Sequence, residues 1–297
     1  MAKQQRKTPK PSFPAGASLD EVAHSLLGEL VGELRRATRQ VRTSRDPEDL
    51  HHLRVSVRRL RVALRTFKSR LDESTVSALN RDLRWLFRRL GAVREYDVLL
   101  SELSAAQGEE DGALTALREE LVGRRKVAER AARRALTSRR HARLRRALVA
   151  LPRALAGERA PAPKSVRKWA RKRLDKRRAR VLALRAGLSE GDEQSLHALR
   201  KELKKLRYAA DLLSPLWRRG GVKAYLRPLS DLQDLLGTLN DAAVSSRLLD
   251  AAGKSAGRAA ARLAEQRVSE LSETGKPARR RVERRLRRFA KAAPFWS

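Results

Sequence analysis

The chain has 297 residues, of which 41% are hydrophobic and only 4% aromatic, and it contains no cysteine. This composition supports buried cores but excludes disulfides, thiolate chemistry and cysteine-ligated metals. The 69 Lys and Arg against 34 Asp and Glu give a net charge of +35, and because such an excess repels itself in a compact state, it predicts a polyanionic partner.

The N-terminal segment, residues 1–17, is polar and basic and predicts a disordered arm. It lacks the apolar core of a secretory signal. No stretch of the chain approaches the roughly 18 to 20 apolar residues of a membrane span. We therefore expect a cytoplasmic protein with no transmembrane segment.

Two capping patterns mark the first helices. Ser18 and Glu21 have the spacing of a capping box, and apolar residues then recur at helical period. Asp46 followed by Pro47 marks a second start, because Asp accepts from the first turn and Pro suits the first helical position. The predicted helices of this half begin at 18 and 47 (the second to about 71), span 74–91, include a shorter helix after 97, and fill 113–155.

A Gly- and Pro-containing run from Gly157 to Pro163 predicts a linker between two helical halves. The first half covers residues 18–157, the linker 158–163, and the second half 164–297. Helices are expected over 165–188, 192–213, 222–237 and 241–252, followed by two more to the C-terminus. No segment shows the alternation of a strand, so the predicted fold class is all-α.

The motif His-x-Leu-Arg occurs twice, and His197 follows His51 by 146 positions (197 − 51). Other residues keep this spacing: Leu60-Arg61 with Leu206-Arg207, Leu90-Gly91 with Leu236-Gly237, and Val98 with Val244. A constant spacing across separate motifs indicates that a helical unit has been duplicated.

Each motif helix separates a cationic face from an apolar face at about 100° per residue. The cationic face of the first helix contains His51, Arg54, Arg58, Arg61 and Arg65, and that of the second contains His197, Arg200, Lys204 and Arg207. Like charges one turn apart destabilise an isolated helix, and bound phosphates would reverse that effect. Arg suits phosphate through its bidentate fork. We therefore interpret the two faces as walls of a groove for a polyanion.

Further arginines at helical spacing extend this interpretation. Arg81, Arg84 and Arg88 on the third helix are predicted to form another wall, and Arg35, Arg39 and Arg42 are weaker additions. The alternative is a solvated charged face, which is the usual meaning of a charge run. The duplication at fixed spacing favours binding, with nucleic acid, polyphosphate and an anionic membrane surface all open as partners.

The histidines have three interpretations. They cap the start of their own helix or satisfy a neighbouring carbonyl, or they contact phosphate. The third interpretation is a metal site formed by His51, His52 and Asp97 in one half and by His197 and Asp241 in the other. Their spacing matches no dense ligand motif, so we expect no metal and no cofactor.

The segments that follow Leu90 and Leu236 are predicted to be structural. Gly91 and Gly237 permit a helix end or a close helix contact, and the acids after them can orient nearby arginines. Because nothing else in the chain completes a reaction centre, we expect a protein that is not an enzyme.

The residues of the two repeated motifs resemble those of a known protein family. The run His-x-Leu-Arg-Val-x-Val-Arg-Arg-Leu-Arg from His51 to Arg61, followed by Leu-Gly-x-x-Arg-Glu-x-Asp-Val-Leu from Leu90 to Leu99, resembles the CHAD domain, the conserved histidine α-helical domain. The run from His197 to Tyr208 looks like the second repeat of that family. The resemblance covers residues 18–250.

The resemblance implies two tandem four-helix bundles related by pseudo-twofold symmetry around a basic groove. It also implies inorganic polyphosphate as the ligand, bound without chemistry. The motif positions carried over are His51, Arg54, Arg58, Arg61, His197, Arg200, Lys204 and Arg207. Asp211 stands where the repeat places Arg65, so the two cationic faces are not identical.

Three functions follow in order of preference. The first is non-catalytic polyphosphate binding for localisation or sensing, in a protein that could associate with polyphosphate-rich granules. The second is nonspecific nucleic-acid binding, for which the support is net charge. The third is an enzyme or phosphoacceptor that uses His51 or His197. Secondary binding of nucleic acid or an anionic surface is expected from the basic arm and from the C-terminal segment Arg279–Lys291 with Phe295-Trp296.

Overall fold

The computed structural model describes residues 11, 13, 14, 16–44, 46–105, 112–152, 165–185, 193–217 and 220–297. These residues form nine α-helices and two short 3₁₀ segments, Lys68–Arg70 and Ser214–Leu216, with no strand among them. The helices are α1 Leu19–Thr43, α2 Pro47–Thr66, α3 Glu73–Ala105, α4 Gly112–Thr137, α5 Arg139–Ala150, α6 Val166–Ala183, α7 Glu193–Leu213, α8 Gly220–Ala256 and α9 Arg258–Ala290. The prediction of an all-α fold is confirmed.

The predicted starts of α1 and α2 are also confirmed. The Ser18 hydroxyl accepts from the Glu21 N–H at 3.1 Å, and the Glu21 carboxylate accepts from the Ser18 N–H at 2.7 Å. Asp46 accepts from the Glu48 N–H at 2.9 Å, directly before Pro47. These local bonds satisfy N–H groups that a helix start leaves free, which is why the sequence alone placed them.

Three predicted helix boundaries are wrong. The helix that was expected to end at Gly91 continues through it to Ala105, and α8 likewise continues through Gly237 to Ala256. The two helices expected at the C-terminus are one, α9, which contains Pro277. Glycine costs a helix only about 1 kcal/mol, which the buried apolar side chains of these long helices offset. The chain turns instead at Gly257, whose φ of 101° favours glycine.

Two cores hold the helices together. The larger draws buried side chains from every helix, α1 to α9. The smaller joins the C-terminal ends of α3 and α8 to the N-terminal parts of α4 and α9, through Leu99, Leu103, Leu117, Leu121, Leu249, Ala252, Ala260 and Ala264. Small residues allow close approach here, because a methyl group added at Gly253 would lie 3.0 Å from the Ala261 Cα. The hairpins α3–α4 and α8–α9 are thereby tied together across the predicted halves.

The duplicated residues occupy matching environments. Leu53 and Leu199 are fully buried, and so are Leu60 and Leu206. The pseudo-twofold arrangement of two four-helix bundles and the boundaries 18–157 and 164–297 stay predictions. The predicted linker 158–163 and most of the predicted arm 1–17 lie outside the described residues.

No helix in the described part of the chain is long and apolar enough to cross a membrane.

The C-terminal Trp296 packs in the core of the protein. It is fully buried, and its ring lies 4.7 Å from that of Tyr225. The Trp296 Nε1–H donates to Asp175 at 2.8 Å, and the Trp296 carbonyl accepts from Arg171 at 2.7 Å. Trp296 therefore holds the C-terminus against α6, and its buried ring cannot insert into a membrane. Binding of a polyanion by the exposed arginines of α9 stays a prediction.

Trp296→Phe is expected to lower the free energy of unfolding by about 1 kcal/mol, because the Asp175 carboxylate loses this donor while the apolar packing is largely kept. Urea unfolding followed by circular dichroism measures the change. Asp175→Ala should cost a similar amount, and the double variant should cost little more than either single one. Strictly additive losses would contradict the assigned hydrogen bond.

Candidate functional site

The two motif helices, α2 and α7, pack against each other. Their leucines face the larger core, so their cationic residues are presented to the remaining sides. Arg58 on α2 joins the helices, because its Nη1 donates to the Tyr208 hydroxyl on α7 at 3.0 Å. The separation of apolar and cationic faces predicted from the sequence is therefore present in the fold.

A cavity of about 1790 Å³ lies along these helices, larger than the roughly 300–1,000 Å³ of a small-molecule pocket. Its other walls come from α8, from α1 and from the segment of α3 that contains Arg94 and Glu95. Six of the predicted binding residues line it: His51, Arg54, Arg58, Arg200, Lys204 and Arg207. The volume and the shared lining suit an extended ligand rather than a single small ion.

Arg54 is held in place by apolar and aromatic surroundings. Its guanidinium carbon lies 4.5 Å from the centre of the Phe87 ring, and its Nε lies 3.6 Å from the position of a Cβ at Gly91. Burial, followed by the nearby Arg58, lowers the pKa of Arg54 to about 10. The buried Nε–H has no acceptor among the described residues. Arg54 is therefore a charged donor at neutral pH with unused hydrogen-bonding capacity.

Arg200, the repeat counterpart of Arg54, is oriented by polar side chains instead. Its Nη1 donates to the Asn240 Oδ1 at 2.7 Å, and its Nη2 lies 3.9 Å from Asp241. The prediction that an acid of this segment orients an arginine is thus met by Asp241, with Asn240 as the nearer partner. The Arg200 Nε–H is buried and, like that of Arg54, has no acceptor in the described chain.

Lys204 is the repeat counterpart of Arg58, and its pKa is the most strongly lowered among the residues of the cavity lining. Burial lowers its pKa to about 7, and the charges of Arg200, Arg58 and Arg54 act in the same direction. Its neighbour Arg207 donates to the Gln233 Oε1 at 2.5 Å. The lining contains ten Lys and Arg against six Asp and Glu. This excess of positive charge raises the free energy of the protein unless an anion is bound.

The two motif histidines have different environments. His51 lines the cavity, its Nδ1 is buried without a partner in the described residues, and burial followed by Arg94 lowers its pKa. His197 is exposed and lies outside the cavity lining. Asp97, considered above as a metal ligand beside His51, accepts from the Arg125 Nε at 2.6 Å instead. Of the two motif histidines, His51 therefore lines the cavity and His197 does not, and phosphate contact by either stays a prediction.

Acidic residues mark part of the cavity wall. Glu29 and Glu33 from α1 and Asp211 from α7 line it, and Glu33 accepts from Arg59 at 2.5 Å. Asp211 is the residue that departs from the repeat at the position of Arg65. The cavity is therefore electrostatically asymmetric.

The remaining predicted residues lie outside the cavity lining. Burial lowers the pKa of Arg61 and of Arg65, and the nearby charge of Arg84 acts in the same direction on both. Arg81 is largely exposed beside Asp82, and Arg88 is exposed on the same helix. Arg35, Arg39 and Arg42 are exposed on α1. Arg81, Arg84 and Arg88, which were predicted to form a second wall, do not line the cavity, and α3 contributes its later segment around Arg94 instead, because α3 runs past Gly91.

Several lining residues were not selected from the sequence. These are Arg59, Arg94, Tyr208, Lys223, Arg227, Gln233, Asn240 and Arg247. Arg94 and Asn240 could have been found, since they occupy equivalent positions in the duplicated Leu-Gly segments. The α8 cations carry no repeat signal, and only the packing of α8 beside α7 brings them to the cavity.

The arrangement is suited to binding a ligand with many acceptor oxygens. Guanidinium N–H groups of Arg54 and Arg200 and the ring nitrogen of His51 are buried at its lining with unmet hydrogen-bonding capacity. Bidentate contacts from arginine to phosphate or carboxylate would satisfy them. Such a row of donors along two adjacent helices matches an anion that repeats along its length.

The chain is similar to known proteins in sequence and in fold. The model of the CHAD domain family matches residues 25–250. The crystal structure of the CHAD domain from the plant Ricinus communis is similar, with a TM-score of 0.81, 26% sequence identity and coverage of 99% of both chains. PptA from Streptomyces chartreusis shares the fold, with a TM-score of 0.66, 20% identity and coverage of 92% of this chain and 100% of that one.

A search of curated proteins finds no relative. The family model nevertheless covers most of the chain, including both His-x-Leu-Arg motifs and both Leu-Gly segments. The Ricinus structure matches the fold essentially from end to end. On these grounds the chain belongs to the CHAD domain family.

Proposed function

We propose that the chain binds inorganic polyphosphate in the cavity between α2, α7 and α8, without chemical conversion of the polymer. The observation that carries the proposal is the set of half-buried cations, Arg54, Arg58, Arg200 and Lys204, which lie close enough to perturb one another in a lining where Lys and Arg outnumber Asp and Glu. Membership of the CHAD family adds the ligand class that the resemblance implies.

The types of side chain in the cavity lining favour polyphosphate over nucleic acid as the ligand. Recognition of single-stranded nucleic acid relies on aromatic side chains on which bases stack. Tyr208 and Trp217 are the aromatic residues of the lining in the described chain, and the Tyr208 hydroxyl already accepts from Arg58. Polyphosphate presents phosphate oxygens along its whole length and needs no stacking surface. The cavity thus satisfies the chemistry of the polymer with arginine and lysine alone.

Binding without catalysis is part of the proposal. A phosphoryl acceptor or general base would need an orienting carboxylate. The charged group that most strongly perturbs His51 is Arg94, with Glu48 weaker. The cavity acid Asp241 interacts with Arg200 rather than with a nucleophile. Association with polyphosphate-rich granules would follow from simple retention of the polymer.

In a competition at matched phosphate concentration and physiological salt, long-chain polyphosphate should displace duplex and single-stranded DNA from the protein, and not the reverse. The reason is that a phosphate polymer without bases enters the cavity, whereas nucleic acid is limited to outer basic surfaces. Fluorescence anisotropy of labelled nucleic acid, with polyphosphate as competitor, measures this. Displacement of polyphosphate by nucleic acid at equal or lower phosphate concentration would reverse the assignment in favour of a nucleic-acid-binding protein.

A further inference from the structure

Five arginines from three helices lie close enough to influence one another: Arg61 and Arg65 of α2, Arg84 of α3, and Arg173 and Arg177 of α6. This set is called the arginine cluster below. Burial lowers the pKa of Arg61 and of Arg177. The charges of Arg65 and Arg84 act in the same direction on Arg61, and the charge of Arg65 does so on Arg177, so that the arginines form one connected group. None of the five lines the cavity described above. Arg173 and Arg177 were not among the binding residues predicted from the sequence.

The arginine cluster lacks the counter-charges that ordinary surface arginines find. Within the described ranges, none of the five forms an ion pair within 4.0 Å, although other arginines of the chain form many. Arg177 has an acidic neighbour, Glu202, whose carboxylate accepts from Lys205 at 2.5 Å. The Arg61 Nε–H is buried without an acceptor in the described chain. Arg61, Arg173 and Arg177 are half-buried, whereas Arg65 and Arg84 are exposed.

Aromatic rings support the cluster and connect it to the cavity. The Arg173 guanidinium lies 4.0 Å from the centre of the Trp169 ring, which stacks on Phe67 at 5.7 Å. The Phe87 ring lies 5.3 Å from the guanidinium of Arg58 in the cavity and 5.7 Å from that of Arg61 in the cluster. The two cationic regions are therefore consecutive along α2, with the step from Arg58 to Arg61 spanning about 4.5 Å of helix.

The duplication shows that these arginines are not needed for packing. At a spacing of 147 (170 − 23), the buried residues of α6 align with buried residues of α1: Val166 with Leu19, Ala170 with Ala23, Leu174 with Leu27, and Val181 with Leu34. At the same spacing Arg173 and Arg177 replace Leu26 and Leu30, which are 4% and 3% exposed. A half-buried arginine costs free energy that a leucine in the same place does not.

The positions that correspond to the cluster in the repeat lack these arginines. Asp211 stands at the counterpart of Arg65, and it lines the cavity together with Glu29 and Glu33. Where the cluster has arginines on α2 and α6, the repeat counterparts are therefore an aspartate on α7 and two leucines on α1. This asymmetry distinguishes the two ends of an anion path that runs along α2.

We infer that the arginine cluster is a second phosphate subsite, continuous with the cavity, and that a polyphosphate chain leaves the cavity toward Arg61 and Arg177 rather than past Asp211. The inference rests on the proposed function and assigns a direction to the bound polymer. A short phosphate oligomer occupies the cavity alone, while a long chain also reaches the cluster. Affinity thus rises with chain length through the second set of contacts.

The test replaces Arg173 and Arg177 by leucine, the residue that the first half uses at both positions. Arg173→Leu with Arg177→Leu should weaken binding of long-chain polyphosphate by roughly tenfold or more, since two charge-assisted contacts are lost. Tripolyphosphate affinity should stay within about twofold, because that oligomer is confined to the cavity. Isothermal titration calorimetry with both ligands measures the two effects. The matched control is Lys172→Gln with Lys176→Gln, which removes the same charge from exposed positions of the same helix.

The outcomes separate the inference from the proposed function. Selective loss of long-chain affinity in the leucine variant, with the control close to the unmodified protein, supports the subsite. Equal losses in the leucine variant and the control would reduce the cluster to a general charge effect and overturn it. Unchanged long-chain affinity in the leucine variant overturns it as well. Failure of the unmodified protein to bind either ligand would overturn the proposed function and the inference together.

Discussion

Replacing Arg54 and Arg200 together by glutamate is expected to abolish polyphosphate binding and to leave the helical fold intact. Both arginines line the cavity, and both have a buried Nε–H without an acceptor in the described chain. Each lost charge-assisted contact costs roughly 1.5–3 kcal/mol, and charge reversal adds repulsion. The combined loss corresponds to an affinity at least about a hundredfold lower.

Calorimetric titration with long-chain polyphosphate measures the affinity, and far-ultraviolet circular dichroism checks helicity. The matched control is Arg35→Glu with Arg81→Glu, which makes the same change in net charge at two exposed arginines outside the cavity. The control should lose only the part of the affinity that depends on overall charge. If both double variants lost binding equally, the cavity would not be the site.

Polyphosphate binding should weaken as the pH rises above about 7, because Lys204 must be protonated to contribute. Burial and the neighbouring arginines lower the pKa of this lysine from 10.5 to about 7 in the free protein. A bound anion stabilises the charged form and raises the pKa again, so binding takes up a proton in the interval between the two values. The affinity should therefore be constant below pH 7 and fall by up to about tenfold per pH unit above it.

Calorimetry in buffers of different ionisation enthalpy measures the proton uptake directly. Lys204→Arg should keep the affinity high into the alkaline range, since arginine stays charged. Lys204→Met should bind more weakly at pH 6 and lose the pH dependence. A profile that is unchanged in the methionine variant would show that another group titrates.

The same linkage has the opposite sign for the stability of the free protein. Between pH 10.5 and about 7 the unfolded state holds a proton on Lys204 that the folded state has lost. The lysine therefore destabilises the fold progressively as the pH falls through this interval, and fully below about 7. Lys204→Met should consequently unfold at a higher temperature at neutral pH than the unmodified protein. Gain of stability with loss of binding is the signature of a residue kept for function.

Much of the local structure could be predicted from the sequence because its causes are local. The capping box at Ser18 and the Asp46-Pro47 start are bonds between residues a few positions apart. The apolar and cationic faces of α2 and α7 follow from helical period alone. The fixed spacing between His51 and His197 paired Arg54 with Arg200 before any contact was known.

The helix ends at glycine were not predictable in this way. Glycine is typical of a helix end, yet α3 continues through Gly91 and α8 continues through Gly237. Long-range packing of the buried residues on either side outweighs the intrinsic cost of glycine, and no local signal contains that contribution. Because α3 continues past Gly91, Arg94 lies in the cavity wall, whereas Arg81 and Arg88 lie outside it.

The sequence by itself therefore determined the all-helical class, the duplication, the cationic faces of α2 and α7 and the expectation of a polyanion. The tertiary structure decided which cations share an enclosure. It brought Arg54, Arg200 and Lys204 together, left His197 exposed, and grouped Arg61 and Arg65 with arginines of α6. Helical period specifies the direction of a side chain around its own axis, whereas burial and pKa depend on which other helix packs there.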